Sequence, residues 1–202
     1  MGTVSPLRVG IFVFDDAEEL DVAGPYDVLT MWANRSDLRP EVLTFSPDGL
    51  GVRLAKGLRI LADRGIDDVG PLHVLVYPGG YGTRRLMADV DHLAWVRSMR
   101  ARTPLLASVC TGALVFAAAG LLAGRPATTH WDALDLLAQT DPSVLIDTEA
   151  RFVDDGDIVT SAGVSAGIDM ALHLVARLES VKAAETVRRA IQYDPSRLSP
   201  GG

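Results

Sequence analysis

Cysteine is almost missing from this chain, whose 202 residues include one, Cys110. A single cysteine excludes a disulfide within the chain and fits a reducing compartment, so we expect a cytoplasmic protein. No apolar stretch approaches the roughly 18 residues that a membrane-spanning helix needs, which argues against a membrane partner. The first apolar run ends at Asp15 and Asp16, and we interpret it as a strand rather than a signal peptide.

Positive charge is also scarce. Lys and Arg together number 19 against 26 Asp and Glu, which gives a net charge of −7. The basic residues are scattered, whereas neutralising phosphates takes clustered Lys and Arg. The composition therefore excludes a nucleic-acid partner.

Metal and cofactor signatures are lacking as well. The glycine-rich segment at residues 79–82 lacks both the GK[ST] ending of a phosphate loop and the glycine spacing of a dinucleotide site. The four histidines show no ligand spacing with Cys110 or with a pair of carboxylates: His73, His92, His130 and His173. We therefore expect neither a metal nor a cofactor.

The hydrophobic content of 48% is ordinary for a globular protein, and the length predicts one domain over residues 1–202. Apolar runs typical of buried strands alternate with helical patterns, at residues 8–14, 41–45, 73–77 and 105–109. Two hairpins are predicted at residues 51–63 and 149–161, and one long helix over 166–192, before Pro195. This alternation predicts a three-layer α/β sandwich around a mostly parallel sheet.

Cys110 lies where the strand pattern ending at Val109 changes into a helix pattern over residues 111–122. A sharp strand-to-helix turn is how a nucleophile elbow presents its side chain. The helix amides and dipole would then stabilise a thiolate and lower the pKa of Cys110 below the free value of about 8.5. A buried structural cysteine is the alternative interpretation, and position alone leaves both open.

Candidate site residues cluster where parallel strands end, because sites in such sheets form beyond the carboxyl ends of the strands. Asp21 follows the first strand and could be a functional carboxylate or an ordinary first-turn helix carboxylate. Gly79 and Gly80 follow another strand and could form a plain turn or offer free amides to a developing anion. His130 follows the nucleophile's helix and could be a base or a structural histidine.

Four segments carry a family resemblance: LDVAGPYDVL (20–29), YPGGYG (77–82), SVCTGALVFAAAGLLAGRPATTHW (108–131) and SAGIDMAL (165–172). They resemble the ThiJ/PfpI superfamily and, within it, the isonitrile hydratases. The resemblance implies a flavodoxin-like fold, as in class I glutamine amidotransferases, and a homodimer. The group also includes ligand-binding halves of AraC-type regulators. A non-catalytic ligand-sensing or redox-responsive domain is therefore the alternative to an enzyme.

Carried over to this sequence, the resemblance makes Cys110 the nucleophile and Asp21 the acid beside its sulfur. Thr111 becomes a further polar group, with backbone amides around Gly80. The implied reaction adds water to a small-molecule isonitrile, giving an N-substituted formamide through a cysteine thioimidate without a cofactor. A thiolate beside Asp21 would raise the pKa of that carboxyl, so that the pair titrates as a coupled unit.

The chain departs from the protease-like and glyoxalase-like branches at two positions. Those branches usually have histidine directly after the cysteine, where this chain has Thr111, and glutamate as the acidic partner, where this chain has Asp21. The departure favours isonitrile hydration over peptidase, deglycase or glyoxalase activity.

Overall fold

A computed structural model describes residues 6–194 of the chain. The helices are α1 (Glu19–Arg35), α2 (Thr83–Leu86), α3 (Val90–Arg102), α4 (Gly112–Ala118), α5 (Leu134–Thr140), α6 (Ala166–Leu178) and α7 (Val181–Ala190). The strands are β1 (Arg8–Phe12), β2 (Glu41–Ser46), β3 (Gly51–Arg53), β4 (Arg59–Leu61), β5 (Arg64–Gly65), β6 (Val74–Tyr77), β7 (Leu105–Val109), β8 (Pro126–Ala127), β9 (Leu145–Ile146), β10 (Phe152–Asp154) and β11 (Ile158–Ser161). Within residues 6–194, no helix combines the length and the apolar character needed to cross a membrane.

The central sheet has seven strands in the order β10-β11-β7-β6-β1-β2-β5. All neighbouring pairs are parallel except β10 and β11, which form an antiparallel hairpin. Helices α1, α6 and α7 contact one another, and α4 contacts α2, α3 and α5. The prediction of an α/β sandwich around a mostly parallel sheet is confirmed. Strand β7 lies inside the sheet, and all five of its residues are buried. Its carboxyl end, followed by Cys110, therefore lies near the middle of the row formed by the carboxyl ends of the parallel strands.

Both predicted hairpins are present, because β3 pairs with β4 and β10 with β11. The helix after Cys110 is shorter than predicted and ends at Ala118. Gly120 has φ +77° there, its amide binds the Ala117 carbonyl, and the Leu121 amide binds the Phe116 carbonyl. This is a Schellman motif, which satisfies the last carbonyls of the helix.

The prediction of one helix over residues 166–192 is wrong. Helix α6 ends at Leu178, and Ser180 has extended backbone and caps α7 by accepting a hydrogen bond from the Ala183 amide at 3.1 Å. Glu179, in the break, accepts hydrogen bonds from Trp32 Nε1 and Ser36 Oγ, each 2.6 Å long. The break is therefore stabilised by the Ser180 cap on α7 and by the hydrogen bonds of Glu179 to Trp32 and Ser36. Pro195 lies outside the described residues.

Close packing fixes the positions of the first turns of α1 and α6, which border the site. A Cβ atom on Gly24 of α1 would lie 3.1 Å from Ile168 of α6, and one on Gly167 would lie 2.9 Å from Val109 of β7. Glycine at these positions lets α1, α6 and β7 approach closely. Asp21, one turn before Gly24, is thereby held near the elbow.

Candidate active site

Cys110 occupies a strained turn between β7 and α4. Its φ of 56° lies in the left-handed region, which costs a residue with a side chain about 1 to 2 kcal/mol. The turn is held by the Cys110 amide, which donates to the carbonyls of Ser161 and Ala162. It is also held by the Thr129 hydroxyl, which donates to the Cys110 carbonyl at 2.7 Å. The predicted sharp strand-to-helix turn at Cys110 is confirmed, and Thr129 is an anchor of it that the sequence did not reveal.

Gly79 and Gly80 let three loops meet at the elbow. A Cβ atom on Gly79 would lie 2.5 Å from the Thr111 nitrogen and 2.8 Å from Cys110 Cβ. Gly80 has φ +122°, and a Cβ there would lie 2.4 Å from both the Asp16 oxygen and the Glu18 nitrogen. These positions require glycine because the backbones approach so closely.

Asp21 lies in the first turn of α1 and is fully buried. Its Oδ2 accepts a hydrogen bond from the Gly79 amide at 3.0 Å. Burial raises the pKa of Asp21 to about 7, and the charge of Glu18 adds to the rise. The Gly79 amide, the Cys110 side chain and the Val164 backbone oppose it by favouring the carboxylate. The predicted rise is found, but its main cause is desolvation rather than the charge of a thiolate.

The thiol contradicts the prediction of a lowered pKa. Burial raises the pKa of Cys110 to about 12, and the charge of Asp21 adds to the rise. The backbone at Thr111 and Val164 acts in the opposite direction without overcoming burial. The amides at the start of α4 therefore do not make the resting residue a thiolate, because Cys110 is only 6% exposed.

The Cys110 and Asp21 side chains are close enough for each to affect the pKa of the other. The geometry is loose, since Asp21 Oδ1 has no hydrogen bond of ordinary length and angle within residues 6–194. Long catalytic hydrogen bonds are common in proteins without a bound substrate. With values of about 7 and about 12, the pair holds one proton over a wide range above neutrality.

The amides of Gly79 and Gly80 are not free, so the idea that they hold a developing anion is wrong for this arrangement. The Gly79 amide binds Asp21, and the Gly80 amide donates to Thr111 Oγ1 at 2.9 Å. Thr83 Oγ1 lies 3.1 Å from the same Thr111 oxygen. Gly79 therefore orients the acid, while Gly80 and Thr83 fix the Thr111 hydroxyl beside the cysteine.

Val164 was missed by sequence reasoning. It has φ 52°, which is rare for a β-branched residue and marks local strain. Its backbone favours the charged forms of both Cys110 and Asp21. The one hint in the sequence is Gly163, the residue before Val164. Glycine is required there because a Cβ atom on Gly163 would lie 2.0 Å from His130 Cδ2.

A cavity of about 140 Å³ opens onto the sulfur. Its lining is Glu18, Gly80, Tyr81, Arg84, Cys110, Thr111, His130, Asp132 and Val164. His130 thus faces the same space as Cys110, and its Nδ1 accepts a hydrogen bond from the Asp132 amide at 3.2 Å. A neighbouring cavity of about 400 Å³ shares His130 and Val164 as walls and extends along Trp131. Other cavities, such as one of about 340 Å³ beside Trp32, are lined by neither Cys110 nor Asp21.

No group of three or more His, Cys, Asp or Glu side chains suited to a metal ion occurs within residues 6–194. The groups gathered at Cys110 are a thiol, the Asp21 carboxyl of raised pKa and the Thr111 hydroxyl. Such a set suits nucleophilic addition with proton transfer.

The sequence and the fold of this chain are similar to those of several known proteins. Residues 7–177 match the model of the DJ-1/PfpI family. The chain is 38% identical to isonitrile hydratase of Pseudomonas putida over 190 residues, covering 94% of this chain and 80% of that protein. It is 29% identical to the HTH-type transcriptional regulator GbdR of Pseudomonas aeruginosa, and spans 52% of that regulator's length. Among solved structures, a ThiJ/PfpI family protein from Pseudomonas syringae has a TM-score of 0.85 and 31% identity, covering 100% of this chain and 82% of that one.

Proposed function

The chain belongs to the DJ-1/PfpI family, and from that premise we propose that it is a cofactor-independent hydro-lyase that adds water to an isonitrile. The observation that carries the proposal is the pair formed by Cys110 on its strained turn and the buried Asp21, whose pKa is raised to about 7. The pair can present a sulfur nucleophile together with one movable proton. The 38% identity to an isonitrile hydratase supports the same reaction.

In the first step, the Cys110 sulfur attacks the terminal carbon of the isonitrile R–N≡C. The sulfur electron pair forms the C–S bond, and one π pair of the triple bond moves to nitrogen. Asp21, as carboxylate, takes the thiol proton and delivers it to the lone pair on the same carbon. The product is the thioimidate R–N=CH–S–Cys. This order differs from attack by a preformed thiolate, because the raised pKa of Cys110 leaves the proton on sulfur in the resting site.

In the second step, water adds to the thioimidate carbon. Asp21 accepts a proton from the water and returns it to nitrogen, and the C–S bond then breaks as the hydroxyl proton passes through Asp21 to sulfur. The released product is the formamide R–NH–CHO, and the thiol is restored. Atoms balance with one water consumed per turnover.

The other residues bind and orient. We assign the Thr111 hydroxyl, fixed by Gly80 and Thr83, to positioning water or substrate. His130 stands at the boundary between the small cavity and its larger neighbour, where it would contact the R group. The 140 Å³ space at the sulfur suits the isonitrile carbon and nitrogen, and a bulkier R group would extend beyond His130.

Because the reaction starts from the Asp21 carboxylate, kcat/KM should rise as pH increases through about 7. Below that pH both groups are protonated, and no base accepts the thiol proton. The rise is the acid limb of the pH profile.

The deciding experiment is incubation of purified protein with a panel of isonitriles and, separately, α-ketoaldehydes. Substrate loss and formamide formation are followed by chromatography. We expect isonitrile turnover that Cys110→Ser abolishes, since a hydroxyl of similar volume is a far weaker nucleophile. Loss of α-ketoaldehydes alone, or no turnover by protein whose thiol titrates fully, would overturn the proposal in favour of another enzyme or a ligand-sensing domain.

We further propose a cytoplasmic homodimer, as the family resemblance implies. Exposed apolar side chains on α1 and on the β3–β4 hairpin support a protein contact there, namely Leu20, Tyr26, Leu58 and Leu61. Sedimentation equilibrium at micromolar concentration should give twice 21.5 kDa, and a stable monomer would contradict the dimer.

A further inference from the structure

The β3–β4 hairpin lies along the loop that leads from β1 into α1, the helix that contains Asp21. The Asp16 amide donates to the Arg53 carbonyl, and the Ala55 amide donates to the Ala17 carbonyl, each at 2.9 Å. The Arg53 amide in turn donates to Asp15 Oδ1 at 2.8 Å. None of these residues touches the sulfur, yet together they fix the path of the chain into α1.

Lys56, at the tip of this hairpin, binds the two glutamates that precede Asp21. Its backbone amide donates to Glu19 Oε1 at 2.6 Å, and its ammonium donates to Glu18 Oε1 and lies 3.8 Å from Glu19 Oε2. The Glu18 side chain is 17% exposed and that of Lys56 is 67% exposed. The cation therefore contacts Glu18 from the solvent side.

Glu18 is the link between Lys56 and the site. It is a wall residue of the cavity that contains Cys110, and its amide donates to the Gly79 carbonyl at 2.9 Å. Its negative charge disfavours the Asp21 carboxylate. Lys56 neutralises that charge without entering the cavity.

We propose that Lys56 is a positioning residue of the active site that acts on Asp21 through Glu18. By holding Glu18 outward and offsetting its charge, Lys56 keeps Asp21 available as a carboxylate near neutral pH. The proposal deepens the proposed function, since Asp21 is the base on which that reaction rests.

Several other charged or titratable groups face the site and set the background against which Lys56 acts. Cys110 faces Asp21 from the elbow. Across the cavity stand Arg84 at α2, His130, and Asp132 in the short turn after it. The Arg84 guanidinium donates to Thr83 Oγ1 at 3.1 Å and lies 3.4 Å from the Gly80 carbonyl. Of the charged groups, Lys56 is the one paired directly with Glu18.

The test uses Lys56→Met, which keeps the aliphatic stem, and Lys56→Arg, which keeps the charge. The chain offers a matched control, because Lys182 on α7 is its one other lysine. The measured quantity is the pH midpoint of the acid limb, read from kcat/KM for an isonitrile and from the rate of Cys110 alkylation by iodoacetamide.

Lys56→Met should move the midpoint up by about 0.5 to 1 pH unit, less than the 1 to 3 units typical of charges in direct contact. Lys56→Arg keeps the positive charge and should leave the midpoint close to that of the parent protein, and Lys182→Met should leave it in place. Glu18→Gln should move the midpoint down. In the Glu18→Gln background, Lys56→Met should shift the midpoint by less than it does with Glu18 present, because only the weaker direct attraction between Lys56 and Asp21 then remains.

An unchanged midpoint in Lys56→Met, or an equal shift with and without Glu18, overturns the proposal. Lys56→Gln is the second variant should the methionine variant not fold, and Glu18→Gln tests the link independently. Failure of the two proposals can be told apart. Alkylation midpoints that shift without isonitrile turnover would uphold Lys56 and reject the reaction, whereas turnover with unmoved midpoints would do the reverse.

Discussion

The two ends of the parallel strands in the central sheet differ in how deeply their charged groups are buried. At the end away from the site, Arg8 pairs with Glu41, and Arg100 and Arg125 both pair with Asp157. These groups are partly exposed and have partners of opposite sign. At the carboxyl end, Asp21 is fully buried, and no salt bridge to it occurs within residues 6–194. The end away from the site therefore carries partly exposed ion pairs, whereas the carboxyl end holds a buried carboxyl of raised pKa beside a thiol, an arrangement that costs stability.

Among substitutions that test this difference between the two ends of the sheet, Asp21→Asn should have the largest effect. The amide can still accept the hydrogen bond from Gly79 but cannot carry a proton between sulfur, carbon and water. We expect isonitrile turnover to fall by roughly 10² to 10⁴, the range for a lost general acid or base. Mass spectrometry should still show alkylation of Cys110. Turnover near that of the unmodified protein would mean that the proton comes from another group.

The same variant should be more stable than the parent at high pH. Since the folded pKa of Asp21 is raised to about 7, the stability that its protonated form contributes is present at low pH and lost as pH rises toward and through that value. A rise of this size corresponds to about 4 kcal/mol of unfolding free energy. Between about pH 5.5 and about pH 8.5, the advantage of Asp21→Asn should grow by about 2 kcal/mol in urea titrations. A constant difference would show that Asp21 is not destabilised by burial.

Gly80→Ala should destabilise the carboxyl end through backbone contact. The new Cβ would lie 2.4 Å from backbone atoms of Asp16 and Glu18, and φ there is +122°. We expect a loss of about 2 to 4 kcal/mol in unfolding free energy. Gly156→Ala is the matched control, with φ +84° and nothing within 4 Å of its Cβ, and should cost about 1 kcal/mol. Equal costs for the two variants would rule out the close approach at Gly80.

The smallest change in stability is expected at the end of the sheet away from the site. Glu41→Gln removes the partner of Arg8, but the Glu41 side chain is 46% exposed and Arg8 keeps its bonds to the carbonyls of Val69 and Pro71. Partly exposed pairs contribute little, so we expect a change below about 1 kcal/mol in unfolding free energy. Turnover should not change. A large loss of either would remove the contrast between the two ends.

The parts of the site that could be predicted are those with a local signal. The elbow is marked by a buried strand, one cysteine and glycine two residues later, and Asp21 by its place after the first strand. The pKa of Cys110 could not be predicted, because burial depends on how α1, α6 and β7 pack around it. The occupied amides of Gly79 and Gly80 likewise depend on side chains from other loops.

The fold shows the same limit. The pattern of apolar runs along the chain was sufficient to predict the central sheet and both hairpins. The division of the last helix at Glu179 was missed because apolar spacing continues through it, while the groups that stabilise the break, Trp32 and Ser36, lie far away in the sequence. Ser180 was the one local sign, as a residue suited to a helix start.

The left-handed backbone at Cys110 has an evolutionary consequence. Glycine adopts that conformation without strain, so Cys110→Gly would relieve about 1 to 2 kcal/mol of backbone strain while losing the thiol. Selection for stability and selection for chemistry therefore oppose each other at this position. Under the proposed function, a lineage released from the need for turnover would have one substitution between it and a chain whose turn is unstrained and whose pocket has no thiol.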